Sequence, residues 1–194
     1  MASLELKGFM RKSSLKQKSE NISLTRTTRT LYFFIGYFAL SIVIFDSGNL
    51  ITKDAVVDRW TLLSMLFIAN TVAWFIGSSP SKNHRALLTY MLSISLIAFA
   101  GFMTYWERGM ASSSTIFYVL PILVISNLKN RHAIMAAAGL CVGTYAFAVV
   151  KYFNDYFNEG YRIQLWGNIV LYSGTIIVCA WLVLVASGLR KDSK

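Results

Sequence analysis

Residues 86–105 read ALLTYMLSISLIAFAGFMTY, twenty consecutive residues without a charge. A helix of about 20 apolar residues spans the roughly 30 Å hydrocarbon core of a bilayer. The run is framed by charge, with Lys82 and Arg85 before it and Glu107 and Arg108 after it. A surface helix of a soluble domain would carry a charged face along this length. This stretch carries only Ser, Thr and Tyr as polar groups, and it reads as a membrane-spanning helix.

Five further apolar segments share its character: Thr28–Phe45, Trp60–Gly77, Ser113–Leu128, Ala133–Phe153 and Leu165–Leu189. The first reaches spanning length only if its threonines are counted. The fourth is short and holds Pro121, which is tolerated inside a membrane when neighbours satisfy the freed carbonyl and is expected to kink the helix. Only helices and closed barrels satisfy the backbone in lipid, and runs this long lack the alternation of barrel strands. Of the 194 residues 55% are hydrophobic and 14% charged, against about 25% charged in a soluble domain. The predicted fold is an all-α, polytopic integral membrane bundle of six transmembrane helices with both termini cytoplasmic. Residues 1–29 form a basic tail without sustained periodicity, expected to be mobile or to lie on the membrane surface. Residues 30–190 form the bundle and 191–194 a short cytoplasmic end. A polar lead-in this long, with no small-residue cleavage site behind the first apolar run, argues against a cleavable signal peptide.

Orientation follows from charge. With six crossings, fourteen of the 19 Lys and Arg residues fall on the side of the two termini, the Lys82–Arg85 turn and the Lys129–Arg131 turn. Six of the nine acids, Asp46, Asp54, Asp58, Glu107, Asp155 and Glu159, fall on the other. Excess Lys and Arg marks the cytoplasmic face, and the expected location is the plasma membrane, multi-pass. The net charge of +10 is thereby read as a topology signal and as attraction to anionic lipid. Nucleic acid is not an expected partner.

Two basic turns resemble each other, Lys82-Asn83-His84-Arg85 and Lys129-Asn130-Arg131-His132. A duplicated hairpin would explain them, but convergence on short positive turns is the favoured reading. On the opposite side Trp60, Tyr105, Trp106, Tyr152, Tyr156, Tyr161 and Trp166 suit an aromatic belt at headgroup depth. A sharper alternative is an extracytoplasmic site in which Glu107, Asp155, Tyr156 and Glu159 hold a cationic or amphipathic ligand.

No ionisable group lies near the centre of any segment, which argues against ion-coupled transport. The interior polar residues include Asn70, Asn127, Asn168, Tyr145 and Tyr172. Interhelical hydrogen bonding is their default role, and lining a ligand or water cavity is the alternative. Pro121 and the pair Gly139 and Gly143 are assigned to helix packing. For the glycines, contact within the bundle is favoured over a dimer face. His84 and His132 lie in the basic turns rather than inside helices, which disfavours haem ligation, and no further donors surround them to hold a metal. Cys141 and Cys179 read as buried small hydrophobes. No metal, cofactor or catalytic constellation is expected.

The segment Phe117-Tyr118-Val119-Leu120-Pro121-Ile122-Leu123, the basic turn at Lys129–His132 and the Ala/Gly-rich helix from Ala133 together resemble the multi-helix N-terminal membrane module of bacterial sensor histidine kinases. The resemblance covers roughly residues 113–150. It implies a membrane-embedded sensing or dimerising domain that passes its state to a cytoplasmic output. The sequence ends at Lys194 without a phosphoacceptor region or a nucleotide-binding domain, so signalling is expected to pass through a separate partner.

The expected function is thus that of a non-enzymatic membrane module, sensor-like or an accessory subunit, acting through a partner protein or a membrane ligand. Expected partners are membrane lipids, a second copy of the chain, or a membrane or signalling protein. The alternative is a small transporter or channel for a neutral solute. A lipid-active enzyme using His84 or His132 as a base lacks an acidic partner near those turns.

Overall fold

The computed structural model describes residues 2–77, 82–109, 112–156 and 162–188, with side chains for 24–77, 84–109, 112–156 and 163–188. Among the described residues the secondary structure is helical throughout. The elements are α1 (Ala2–Ser47), α2 (Lys53–Gly77), α3 (Lys82–Trp106), a 3₁₀ helix (Ser113–Tyr118) running into α4 (Val119–Ser126), α5 (Arg131–Tyr156) and α6 (Arg162–Ala186). Five helices are long and apolar enough to cross a membrane, and a shorter apolar one spans Ser113–Ser126. The chain is a helical, multi-pass membrane protein.

The helices alternate in direction between two ends, which polar contacts identify. At the basic end, Asn127 after α4 donates to Thr27 of α1 (2.9 Å), and Asn70 of α2 donates to the Thr28 carbonyl (3.1 Å). At the acidic end Lys53 meets Asp46, Arg59 meets Glu107, and Tyr105 meets Asp155. The fourth segment starts beside Glu107 and finishes beside Thr27, so it joins the two ends. Six residues of 3₁₀ and eight of α-helix rise about 24 Å, less than a bilayer core.

Pro121 explains the change of helix type. A proline ring clashes with the carbonyl four residues before it in an α-helix. Here the four residues before it include the end of a 3₁₀ stretch, and Pro121 falls in the first turn of α4, where no intrahelical bond needs its missing N–H. The expected kink takes the form of this 3₁₀-to-α junction. Ser93 of α3 donates to the Pro121 carbonyl (3.2 Å), and both residues are buried.

Two apolar cores flank α3. Leu92, Leu96, Phe99 and Met103, at helical spacing, pack against α1 and α2. Ile97 and Ala100 turn to the other side, where α4, α5 and α6 meet. Phe117 packs against both cores, and its ring lies 5.5–5.8 Å from those of Phe34, Phe38 and Phe99. Edge-on packing of such rings adds about 1 kcal/mol per pair beyond area.

Local caps fix the turns. Thr52 Oγ1 accepts from the Ala55 amide at the start of α2 (3.3 Å), Ser112 Oγ from Ser114 (3.0 Å), and Asn130 Oδ1 from His132 at the start of α5 (2.9 Å). Short polar side chains satisfy orphan N–H groups in this way. Asn130 therefore caps α5 from outside, whereas Asn83 lies inside α3, and the two similar turns differ in structure. The backbone of α1 is helical from Ala2, so the basic lead-in continues into the first apolar segment. Residues 191–194 lie outside the described residues.

Candidate functional site

Of the anticipated acidic-end site, Glu107 stands in one network and Asp155 and Tyr156 in another. Glu107 closes a network of its own. It accepts from Arg59 of α2 at 3.1 Å, from the Ser112 hydroxyl at 3.4 Å and from the Ser114 hydroxyl. The guanidinium of Arg59 also lies 6.0 Å from the centre of the Phe45 ring, a cation–π distance. One carboxylate thus joins α2, the end of α3 and the start of the fourth segment, and Arg59 carries the contact on to α1.

Asp155 belongs to a second cluster. Lys151, one turn earlier on α5, donates to it at 2.8 Å, and the Tyr105 hydroxyl of α3 donates at 2.7 Å. The rings of Tyr105 and Tyr152 meet edge-on at 6.1 Å, and Tyr156 lies tilted over Tyr152 at 4.8 Å. Gly109 makes this possible. Its φ of +57° suits a residue without a side chain, and an added Cβ would come within 2.8 Å of the Tyr152 ring. Glu159 and Tyr161 lie outside the described residues.

Among the interior candidates, Asn70 and Asn127 converge on consecutive threonines, Thr28 and Thr27. Asn70 is fully buried, and its Oδ1 has no hydrogen-bond partner among the described residues. Tyr145 is fully buried between Tyr118 (5.9 Å) and Tyr172 (5.7 Å), both edge-on. The hydroxyls of Tyr118, Tyr145 and Thr104 find no partner of hydrogen-bonding geometry among the described residues. Asn168 sits half-buried on α6, one turn before Tyr172. Arg85 is buried at the start of α3, while His84, Arg131 and His132 are exposed. Lys129 adopts a left-handed φ of +50° in its turn, and the Lys82 side chain lies outside the described residues.

The expected packing role of Gly139 and Gly143 within the bundle is not what the structure contains. A Cβ at either position would meet nothing within 4 Å, and both glycines are exposed on α5. The close helix approach is at Gly101 instead, where an added Cβ would stand 2.6 Å from the Thr144 methyl. A four-residue glycine spacing says that a close face exists but not which way it turns. Ser112 and Ser114 join the Glu107 network although no sequence motif marks them as site residues; serines after a turn at Arg108-Gly109 signal only a helix start.

Comparison with protein families, with curated proteins and with solved structures finds no match.

Proposed function

We propose that this chain is a non-catalytic membrane module, sensor-like or an accessory subunit, that acts through a partner protein or a membrane ligand. In this reading all six segments cross the plasma membrane, the basic end and both termini are cytoplasmic, and the acidic, aromatic end is extracytoplasmic. The observation that carries it is where polar and apolar groups are spent. Arg59 and Glu107, Lys53 and Asp46, and Lys151 and Asp155 are paired with each other at one end. Interior amides bond to backbone and side chains of neighbouring helices. The outer faces of α1 and α6, by contrast, present rows of large apolar side chains, among them Phe33, Tyr37 and Leu40, and Trp166, Val170 and Leu171. Surface without internal work is where a partner helix or lipid is met. The sequence resemblance to the membrane module of sensor histidine kinases supports the same reading.

The test is site-specific cross-linking in native membranes, with a photoreactive amino acid at Phe33 or Val170 and a control at buried Leu96. The reading expects one stoichiometric protein adduct, a partner with a cytoplasmic output or a second copy, from the outer positions and none from Leu96. Purified chain that moves a neutral solute across liposomes unaided would overturn it in favour of a transporter.

A further inference from the structure

A groove of about 380 Å³ runs between α3 and α5 toward their acidic ends. Each helix lines it with the same spacing, positions 98, 101, 102 and 105 on α3 and 144, 147, 148 and 151 on α5. These are i, i+3, i+4 and i+7 neighbours on one helix face. The floor is small, made by Ala98, Gly101, Thr144 and Ala148. Two rings stand up as walls, Phe102 at 53% and Phe147 at 71% exposure. The charged group and the phenol lie at the acidic end, where Tyr105 and Lys151 form the mouth. One turn further out come Asp155 and the Tyr152–Tyr156 pair.

Read from the membrane interior outward, α5 therefore presents an apolar channel, then a cation, then an anion flanked by aromatic rings. A zwitterionic phospholipid presents the complementary order: acyl chain, phosphate, ammonium. We propose that this groove binds one zwitterionic phospholipid, its chain on the Gly101 floor between the two phenylalanines, its phosphate on Lys151 and its ammonium on Asp155. The ammonium of Lys151 has three N–H groups, one of which goes to Asp155, so two remain for a phosphate. Asp155 accepts from Lys151 on one oxygen and Tyr105 on the other, and each oxygen keeps a lone pair for a lipid ammonium. The nearby tyrosine faces favour a cation over an anion at that level. Lys151 Nζ and Asp155 Oδ1 lie 2.8 Å apart, so a phosphate on the one and an ammonium on the other would sit side by side, as the two charges of a single zwitterionic headgroup do. The proposal rests on the membrane-module reading and supplies its ligand.

The experiment is native mass spectrometry of the full chain released from vesicles of equal parts phosphatidylethanolamine and phosphatidylglycerol. A second measurement uses a phosphatidylethanolamine with a photoreactive acyl chain, and peptide mapping of its adducts. The expected result is one retained phosphatidylethanolamine per chain, about five-fold favoured over phosphatidylglycerol, the worth of about one charge at a membrane surface. Adducts should concentrate on 98–105 and 144–151. Asp155→Asn should abolish the lipid preference, and Phe147→Ala, which removes an exposed wall, should reduce retention without affecting folding. Equal retention of both lipids by the native chain would overturn the proposal. So would adducts spread as densely over α1 and α6, which is annular lipid only, or unchanged retention in Phe147→Ala. Failure here leaves the partner adducts from Phe33 and Val170 as a separate readout of the membrane-module reading.

Discussion

Arg59 of α2 donates to Glu107 at the end of α3 across 3.1 Å, with the two side chains 13% and 21% exposed. The pair ties helices that are 48 residues apart in sequence at these positions. The Ser112 and Ser114 hydroxyls bind the same carboxylate, so the pair also fixes where the chain turns back into the bundle. Removing Glu107 leaves a largely covered guanidinium and two hydroxyls without an acceptor. Glu107→Ala is expected to cost about 2 kcal/mol, measured as a loss of thermal stability in detergent. Lys53→Ala breaks a pair whose lysine is 79% exposed, and its effect should fall below about 1 kcal/mol.

Gly101 and Thr144 set the distance between α3 and α5. Because a Cβ at Gly101 meets a stiff β-branched side chain rather than a flexible tip, Gly101→Ala should destabilise by about 1–3 kcal/mol. Thr144→Ser removes the methyl that stands in the way. The double variant should recover most of the loss, and a double-mutant cycle reads that coupling directly. Gly139→Ala and Gly143→Ala, facing open space, should leave the folding of the single chain unchanged.

Asn70 is buried, with its Nδ2 bonded to Thr28 and its Oδ1 without a partner among the described residues. Asn70→Leu loses the bond to Thr28 but also removes the orphaned oxygen. Interhelical hydrogen bonds in membranes average about 0.6 kcal/mol, so the net change should stay within about 1 kcal/mol. Asn70→Asp replaces the donor with a charge in an apolar surround and should be far worse. A large stability loss in Asn70→Leu would show that the amide does more than pack.

Tyr118 and Tyr145 are buried with hydroxyls that lack partners of hydrogen-bonding geometry among the described residues. Their rings, not their hydroxyls, fill the core between α4, α5 and α6. Tyr145→Phe should be neutral or stabilising by about 1 kcal/mol, while Tyr145→Ala should cost about 3–5 kcal/mol through the cavity it opens. Both are measured by unfolding in mixed detergent.

The spans of α3, α5 and α6 were legible in the sequence because a charge-free run of spanning length leaves one solution in lipid. Helix ends were less so. Helix α2 begins at Lys53, seven residues before the apolar run at Trp60, because Asp54, Asp58 and Arg59 continue the helix at its polar end. Hydropathy stops at such residues although the backbone does not. The site was legible only in part. The pairing of Lys151 with Asp155 follows from their spacing on one helix. The pairing of Arg59 with Glu107 depends on which helices become neighbours, and no local pattern carries that. Gly101 is silent in the sequence for the same reason: a lone glycine in an apolar run signals nothing until the facing Thr144 is in place.

The proposed topology depends on the fourth segment crossing the membrane, since a missing crossing would invert the side assigned to α5, α6 and the C-terminus. The direct measurement is labelling of single cysteines with a membrane-impermeant maleimide in intact and permeabilised cells, in a background lacking Cys141 and Cys179. Cysteines placed at Asn49 and Arg108 should react in intact cells, and those at Ser13, Asn130 and Ser193 only after permeabilisation. Labelling of Asn130 or Ser193 in intact cells would contradict the six-crossing topology.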